Sequence, residues 1–178
     1  LLQTSEKINK KTKKKLPRGH LYEKKNSDTL LITYGDSLPD SLKAQNILEE
    51  KGLKVSVLNL SFFPKKERFS KNLIRTITSY KNLYFIDSAP FIGGLLASLS
   101  AEVSSQKNNL NIFHLSPPNT PCPTAPKLVY DYYPNYITIS NKVLKSKNLK
   151  GFSHKYLTFD DVHLWPKLFY SSNNKDIY

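Results

Sequence analysis

Methionine is absent from this 178-residue chain, and cysteine and tryptophan each occur once. The single cysteine, Cys122, cannot form an internal disulfide, which fits a reducing compartment and a cytoplasmic protein. No apolar run approaches the roughly 20 residues that a membrane span requires, so we predict no membrane partner. Because the chain begins at Leu1 and has no methionine, we expect it to be a fragment of a longer protein.

Arginine is also scarce, with three residues against 24 lysines, although the formal net charge is +13. The positive charge is concentrated at the two ends: residues 1–27 carry a net +7 and residues 142–178 a net +4, whereas residues 28–141 carry +2. Proteins that read bases or phosphates usually favour the arginine fork. We therefore predict no nucleic-acid partner.

Sequence signatures of catalysis are missing as well. The chain has no Gly-x-Gly-x-x-Gly, no phosphate-binding P-loop and no Gly-x-Ser-x-Gly elbow, and its four histidines lack zinc spacing. Cys122 lies between prolines without a neighbouring base, and His114, inside an apolar strand, reads as a core residue. We predict no catalytic, cofactor-binding or metal-binding residue in this chain.

What the sequence does contain is a regular alternation of strand and helix patterns. Four β-rich apolar runs predict strands, and three of them are followed by helical periodicity. A final helix is expected over about 135–146, after a proline-rich loop. Within the first helix, Ser37 and Asp40 have capping-box spacing and Gly52 is a natural end signal. The strand runs are "TLLITYG", "KVSVLNL", "NLYFID" and "NIFHLS".

This alternation is typical of a parallel α/β sheet with helices on both faces. We predict three regions: a basic linker over 1–19 from a missing upstream domain, an α/β domain over 20–147, and a C-terminal extension over 148–178. The extension is rich in aromatic residues, so we expect it to dock on the domain or on a partner.

A glycine turn follows the third long strand in "NLYFIDSAPFIGGLLASLSAEV", residues 82–103. A phosphate cradle needs more glycines than Gly93 and Gly94, and it normally follows the first strand. We therefore predict that the turn serves close packing and subunit contact. Its candidate residues are Asp87, Gly93, Gly94 and Leu95.

Three segments together resemble the transketolase C-terminal domain family. They are "LPRGHLYEKKNSDTLLITYGDSLPDSLKAQNILEEKGLKVSVLNLSFFP", the glycine-turn segment, and "NTPCPTAPKLVYDYYP". The likeness covers roughly residues 16–145 and is greatest to the beta subunit of thiamine-diphosphate-dependent 2-oxoacid (pyruvate or branched-chain) dehydrogenases. Two departures stand out: Ser88 replaces a second acid, and Gly93-Gly94 lacks the further glycine and glutamate of the family pattern.

The resemblance implies a three-layer α/β/α fold whose mostly parallel five-stranded sheet has one antiparallel edge strand, here "HLYE". It implies a parent oxidoreductase that uses thiamine diphosphate and magnesium, with the cofactor bound outside this domain. Its implied partners are an alpha subunit, a second beta subunit and an acyltransferase core. Two alternatives stay open: a transketolase or deoxyxylulose-phosphate synthase domain, and a non-catalytic interaction module.

Overall fold

The computed structural model of the chain describes residues 13–16, 19–60 and 69–152. The strands are β1 Lys13–Leu16, β2 Gly19–Tyr22, β3 Thr29–Tyr34, β4 Val55–Leu60, β5 Asn82–Ile86 and β6 Asn111–Leu115. The helices are α1 Ser37–Glu50, α2 Lys71–Thr78, α3 Leu95–Gln106, α4 Pro126–Tyr132 and α5 Tyr136–Ser146.

The strands form one sheet in the order β1-β2-β4-β3-β5-β6. The four strands β4, β3, β5 and β6 are parallel, and β2 pairs with β4 in the antiparallel sense. The predicted α/β fold with a mostly parallel sheet is therefore confirmed. The sheet has one strand more than the five expected, because β1 pairs with β2 from within the predicted 1–19 linker. Consequently β2, which contains the "HLY" of "HLYE", is not the edge strand.

Two hydrophobic layers cover the faces of the sheet, as the period of two along each strand requires. On one face, alternate strand residues pack with α2 and α3, and on the other face the intervening residues pack with α1 and α5. The first layer includes Leu30, Ile32, Leu58, Phe85, Leu73, Ile77, Leu99 and Val103, and the second includes Leu31, Val57, Tyr84, Ile86, Leu48, Ile139, Val143 and Leu144.

The two ends of α1 differ in how well the sequence predicted them. Gly52 follows the helix with φ of +79°, and the N–H of Leu53 returns to the carbonyl of Leu48, which confirms the predicted end signal. The predicted capping box at Ser37 is wrong. Asp36 precedes the helix without a side-chain cap, and Ser37 lies inside the first turn, where its carbonyl accepts from the hydroxyl of Ser41.

The segment after β6 contains a helix that the sequence did not predict, and its first two residues fall within the predicted proline-rich loop. Helix α4 begins at Pro126, and proline at a first helical position loses no intrahelical hydrogen bond. The helix predicted over 135–146 is confirmed as α5, with Asn135 forming a capping box with Thr138. Beyond α5, Phe152 packs on the α1/α5 layer, and the rest of the predicted extension, 153–178, lies outside the described residues.

Candidate interface at the carboxyl edge of the sheet

The candidate residues lie where β5 ends, at the edge formed by the carboxyl ends of the parallel strands. Asp87 follows Ile86 directly and is 5% exposed. Its backbone N–H donates to the carbonyl of Leu115 at 3.0 Å, which extends the pairing with β6 by one bond. Its side-chain Oδ1 accepts from the N–H of Ala89 at 2.9 Å. Asp87 therefore fixes the start of the turn to the sheet, as an Asx turn does.

The two glycines satisfy different requirements. Gly93 has a φ of +78° in open space, so it supplies a left-handed conformation that other residues adopt at a cost. Gly94 has an ordinary φ, but a Cβ there would lie 2.8 Å from the carbonyl oxygen of Pro90 and 3.3 Å from Oδ2 of Asp87. Gly94 is thus the residue that permits close approach of the backbone.

The same geometry is a poor fit for a phosphate or diphosphate group. The N–H of Gly94 already donates to the carbonyl of Phe91 at 3.1 Å. The Asp87 carboxylate and the Pro90 carbonyl both approach Gly94, and oxygen atoms there oppose an anion. The arrangement favours the packing interpretation of the turn over a phosphate loop.

Leu95 lies at the first position of α3 and is half-buried, whereas Leu96, Leu99 and Val103 are buried. The apolar face predicted for α3 therefore forms as expected, with Leu95 at its margin. Sequence reasoning missed Phe91 and Ile92, the exposed apolar pair at the tip of the turn. The signal was present in an apolar dipeptide set between Pro90 and the glycines.

The exposed fractions of this pair are 45% for Phe91 and 76% for Ile92. The Phe91 ring rests edge-on against His114, with centroids 4.4 Å apart, so one member of the pair is anchored to the domain. Ile92 is the most exposed large apolar residue among those that the structure describes. Together they form an apolar tip, Phe91-Ile92, on a turn held by the sheet.

One neighbouring turn, between β3 and α1, is joined to this one by a side-chain hydrogen bond. The hydroxyl of Ser88, which replaces the second acid of the family pattern, donates to Oδ1 of Asp36 at 2.8 Å. Asp36 belongs to the turn between β3 and α1, so the two turns at the carboxyl edge hold each other in place.

His114 lies on β6 with its ring between Phe85 and Phe91. Its Nε2 is 3.1 Å from the hydroxyl of Ser100, on α3. Burial lowers the pKa of His114, which favours the neutral ring at neutral pH. As predicted, it is a packed histidine with a hydrogen-bond partner.

A cleft of about 200 Å³ lies at the opposite, amino edge of the sheet. Its lining includes Asp28, Lys54 and Lys147. The carboxylate of Asp28 pairs with Nζ of Lys147 at 2.8 Å and accepts from Thr29 at 2.7 Å and from Asn82 at 3.1 Å. The acidic group of the cleft is therefore already satisfied by the protein.

No group of three or more His, Cys, Asp or Glu side chains among the described residues is placed to hold a metal ion. None of the helices in the described ranges has the length and apolar character needed to cross a bilayer.

Among solved structures, the chain is similar to a split-gene transketolase in the form of an inactive beta4 tetramer, with a TM-score of 0.61. The identity is 19% over 75% of this chain and 43% of the other, so this chain spans less than half of that protein's length. At this identity the likeness supports the fold alone. No curated protein sequence gives a significant match.

A model of the "Transketolase, C-terminal domain" family matches residues 20–135, which is more than half of the chain. The match includes all the parallel strands and the candidate turn. The chain belongs to the transketolase C-terminal domain family.

Proposed function

We propose that this chain is the C-terminal domain of a 2-oxoacid dehydrogenase beta-subunit-like protein and that it serves subunit assembly rather than chemistry. The observation that carries the assembly role is the apolar tip Phe91-Ile92. Its turn is fixed to the sheet by the buried Asp87 and by the close approach at Gly94. Exposed apolar groups on a rigid base are suited to a protein–protein contact.

The parent enzyme would use thiamine diphosphate and magnesium, and we propose that neither is held by this domain. Support comes from Gly94, whose N–H is engaged and whose surroundings are oxygen atoms. An alpha subunit and a second beta subunit are the partners that this proposal requires, and an acyltransferase core is a third. A reducing, cytoplasmic location fits the single, exposed Cys122.

A transketolase subunit is the second candidate. The similarity in fold to a split-gene transketolase favours it, whereas the "TPCPTAP" segment favours the dehydrogenase. A deoxyxylulose-phosphate synthase domain and a non-catalytic interaction module are further alternatives, the module because Gly93-Gly94 lacks the further glycine and glutamate of the family pattern.

Domain exchange tests the proposal. Residues 13–152 would replace the C-terminal domain of a characterised 2-oxoacid dehydrogenase beta subunit and, in parallel, that of a split-gene transketolase subunit. We expect the first chimera to assemble with its alpha subunit, measured by light scattering after size exclusion. Assembly of only the second chimera would instead identify a transketolase domain.

A point variant tests the apolar tip in whichever chimera assembles. Ile92→Asp should dissociate the complex, because it places a charge in an apolar contact. The matched control is Leu149→Asp, since Leu149 is 45% exposed and follows α5 at the opposite edge. Failure of both chimeras to assemble, with folded domains by circular dichroism, would contradict the assembly role.

A further inference from the structure

The outer edge of β6 presents unpaired backbone groups. β6 is the last strand in the sheet order and pairs only with β5 within the described sheet. The N–H of Asn111 donates to Lys81, and the carbonyl of Leu115 accepts from Asp87, so both residues direct these groups toward the β5 side. Because the two sides alternate along a parallel strand, the N–H and C=O groups of Ile112 and His114 point away from the sheet.

This edge lacks most of the devices that usually protect edge strands. Charged residues, proline and bulges normally block pairing with another chain. The β6 sequence "NIFHL" contains no charged residue, proline or glycine, and its residues 112–115 are only half-buried. Described residues make no hydrogen bond to the four outward-pointing groups. The edge therefore offers two donors, two acceptors and apolar side chains on both faces.

We propose that β6 is a self-association edge that pairs with β6 of a second copy of this chain. The two strands run antiparallel about a two-fold axis at Phe113. Ile112 of one copy then faces His114 of the other, which gives a hydrogen-bonded pair on each side of the axis and satisfies all four outward groups on both strands. The two six-stranded sheets would become continuous. This proposal is independent of the assembly role of the apolar tip.

A second copy fits this edge because the strand is self-complementary. On the α5 face, Phe113 meets Phe113 of the other copy, and aromatic pairs across a non-hydrogen-bonded position are favourable. On the α3 face, Ile112 meets His114, which burial keeps toward its neutral form. No like charges of the strand lie directly opposite one another in this register.

Positive charge near the edge opposes the pairing. Nζ of Lys142 lies 5.7 Å from the centroid of the Phe113 ring, so the two copies bring two lysines toward the axis. The formal net charge of +13 adds a general repulsion. Since salt screens such repulsion, association should strengthen as ionic strength rises.

A pair of substitutions at one position tests the role of the outward N–H. Ile112→Pro and Ile112→Ala both remove the isoleucine side chain, but only proline removes the donor. Sedimentation velocity over a concentration series, at low and high salt, should show a dimer for the wild type and Ile112→Ala. Losing two of the four hydrogen bonds should weaken association by about 10- to 30-fold in Ile112→Pro. A wild type that stays monomeric at all concentrations and salts, or equal association of both variants, would overturn the proposal.

Cross-linking tests the register without relying on proline. In a Cys122→Ser background, Phe113→Cys places two cysteines at a non-hydrogen-bonded pair with Cα atoms about 4.5 Å apart, within disulfide reach. Oxidation should yield a covalent dimer, whereas the control Leu128→Cys, at an exposed position on α4, should not. Equal cross-linking of the two would rule out the β6 register. Ile92→Asp should leave this dimer intact, which separates it from a contact through the apolar tip.

Discussion

The backbone N–H of Tyr136, the first residue of α5, donates a 3.0 Å hydrogen bond to Oδ1 of Asp40, in the first turn of α1. Two helices that are distant in sequence are thus joined at their amino ends. Burial raises the pKa of Asp40, and Asp36 adds to the rise, while the Tyr136 N–H and the charge of Lys43 oppose it. Ionised Asp40 is therefore less favourable in the folded protein than in the unfolded chain.

Replacing Asp40 by asparagine should remove a pH dependence. A carboxyl whose folded pKa is raised contributes stability that is present below its ordinary value of 3.8 and is lost as the pH rises through the raised pKa. The wild type should therefore lose stability relative to Asp40→Asn as the pH rises from about 4. Asparagine keeps an acceptor for the Tyr136 N–H. Thermal melts across the acid and neutral range measure the stability of the two proteins at each pH. The same pH dependence of Tm in both proteins would contradict the prediction.

The stability contribution of Asp28 should depend on pH in the opposite sense to that of Asp40. Burial alone would raise its pKa, but hydrogen bonds from Lys147 and Thr29 and the charge of Lys147 lower it overall. Its contribution is therefore present above the ordinary value of 3.8 and is lost as the pH falls through the lowered pKa. Asp28→Ala should cost about 1–2 kcal/mol at neutral pH, since it removes the hydrogen bonds from Thr29 and Asn82 and the exposed ion pair with Lys147.

Urea unfolding at pH 7 and near pH 3 measures this difference. The control Asp131→Ala, at an exposed site on α4, should change the free energy of unfolding by less than about 0.5 kcal/mol. A cost for Asp28→Ala that stays constant across this pH range would contradict the proposed linkage.

The two glycines of the candidate turn should respond differently to substitution. Gly94→Val should cost about 1–3 kcal/mol, because its side chain meets the Pro90 carbonyl at 2.8 Å. Gly93→Ala should cost about 1 kcal/mol through its positive φ alone, because the space beside it is open. Thermal melts with and without phosphate complete the test. A phosphate-dependent rise in Tm that disappears in Gly94→Val would restore the phosphate-loop interpretation.

The Asn135 cap of α5 should contribute more to the free energy of unfolding than the capping box that the sequence suggested at Ser37. Oδ1 of Asn135 accepts from the N–H groups of Ile137 and Thr138, both at 3.0 Å. Asn135→Ala should therefore cost about 1–2 kcal/mol. Ser37→Ala should cost less than Asn135→Ala, since α1 has no side-chain cap hydrogen bond. Equal costs in denaturant unfolding would contradict this assignment.

Most of the architecture could be predicted because strand and helix periods alternate clearly along the chain. The parallel order and both helical layers follow from that pattern. Strand β1 could not be predicted in the same way, since a lysine-rich run has no apolar alternation and its pairing with β2 is set by the tertiary structure. The capping box at Ser37 failed for a related reason: its spacing is local, whereas the Asp40 carboxylate is engaged by Tyr136 from α5.

The sequence indicated where the candidate turn lies, but it did not predict the backbone conformation of each glycine or the exposed apolar tip. The packing role of the Gly93-Gly94 turn was inferred because the phosphate-binding glycines are missing, and it stays a prediction. Which glycine has the positive φ and which is crowded depends on how Pro90 and Asp87 approach them. The exposure of Ile92 likewise depends on the direction of the turn, which no periodicity encodes.

The position of α5 has a consequence for where this domain can be cut. The family match ends at residue 135, yet Ile139, Val143 and Leu144 from α5 are at most 1% exposed and belong to the layer on α1. Phe152, beyond α5, contacts this helix as well, because its N–H donates to Oδ1 of Asn141 at 2.7 Å. A protease that cleaved after residue 135 would remove α5 from the sheet face that it covers together with α1, so the smallest autonomous folding unit reaches at least to Phe152.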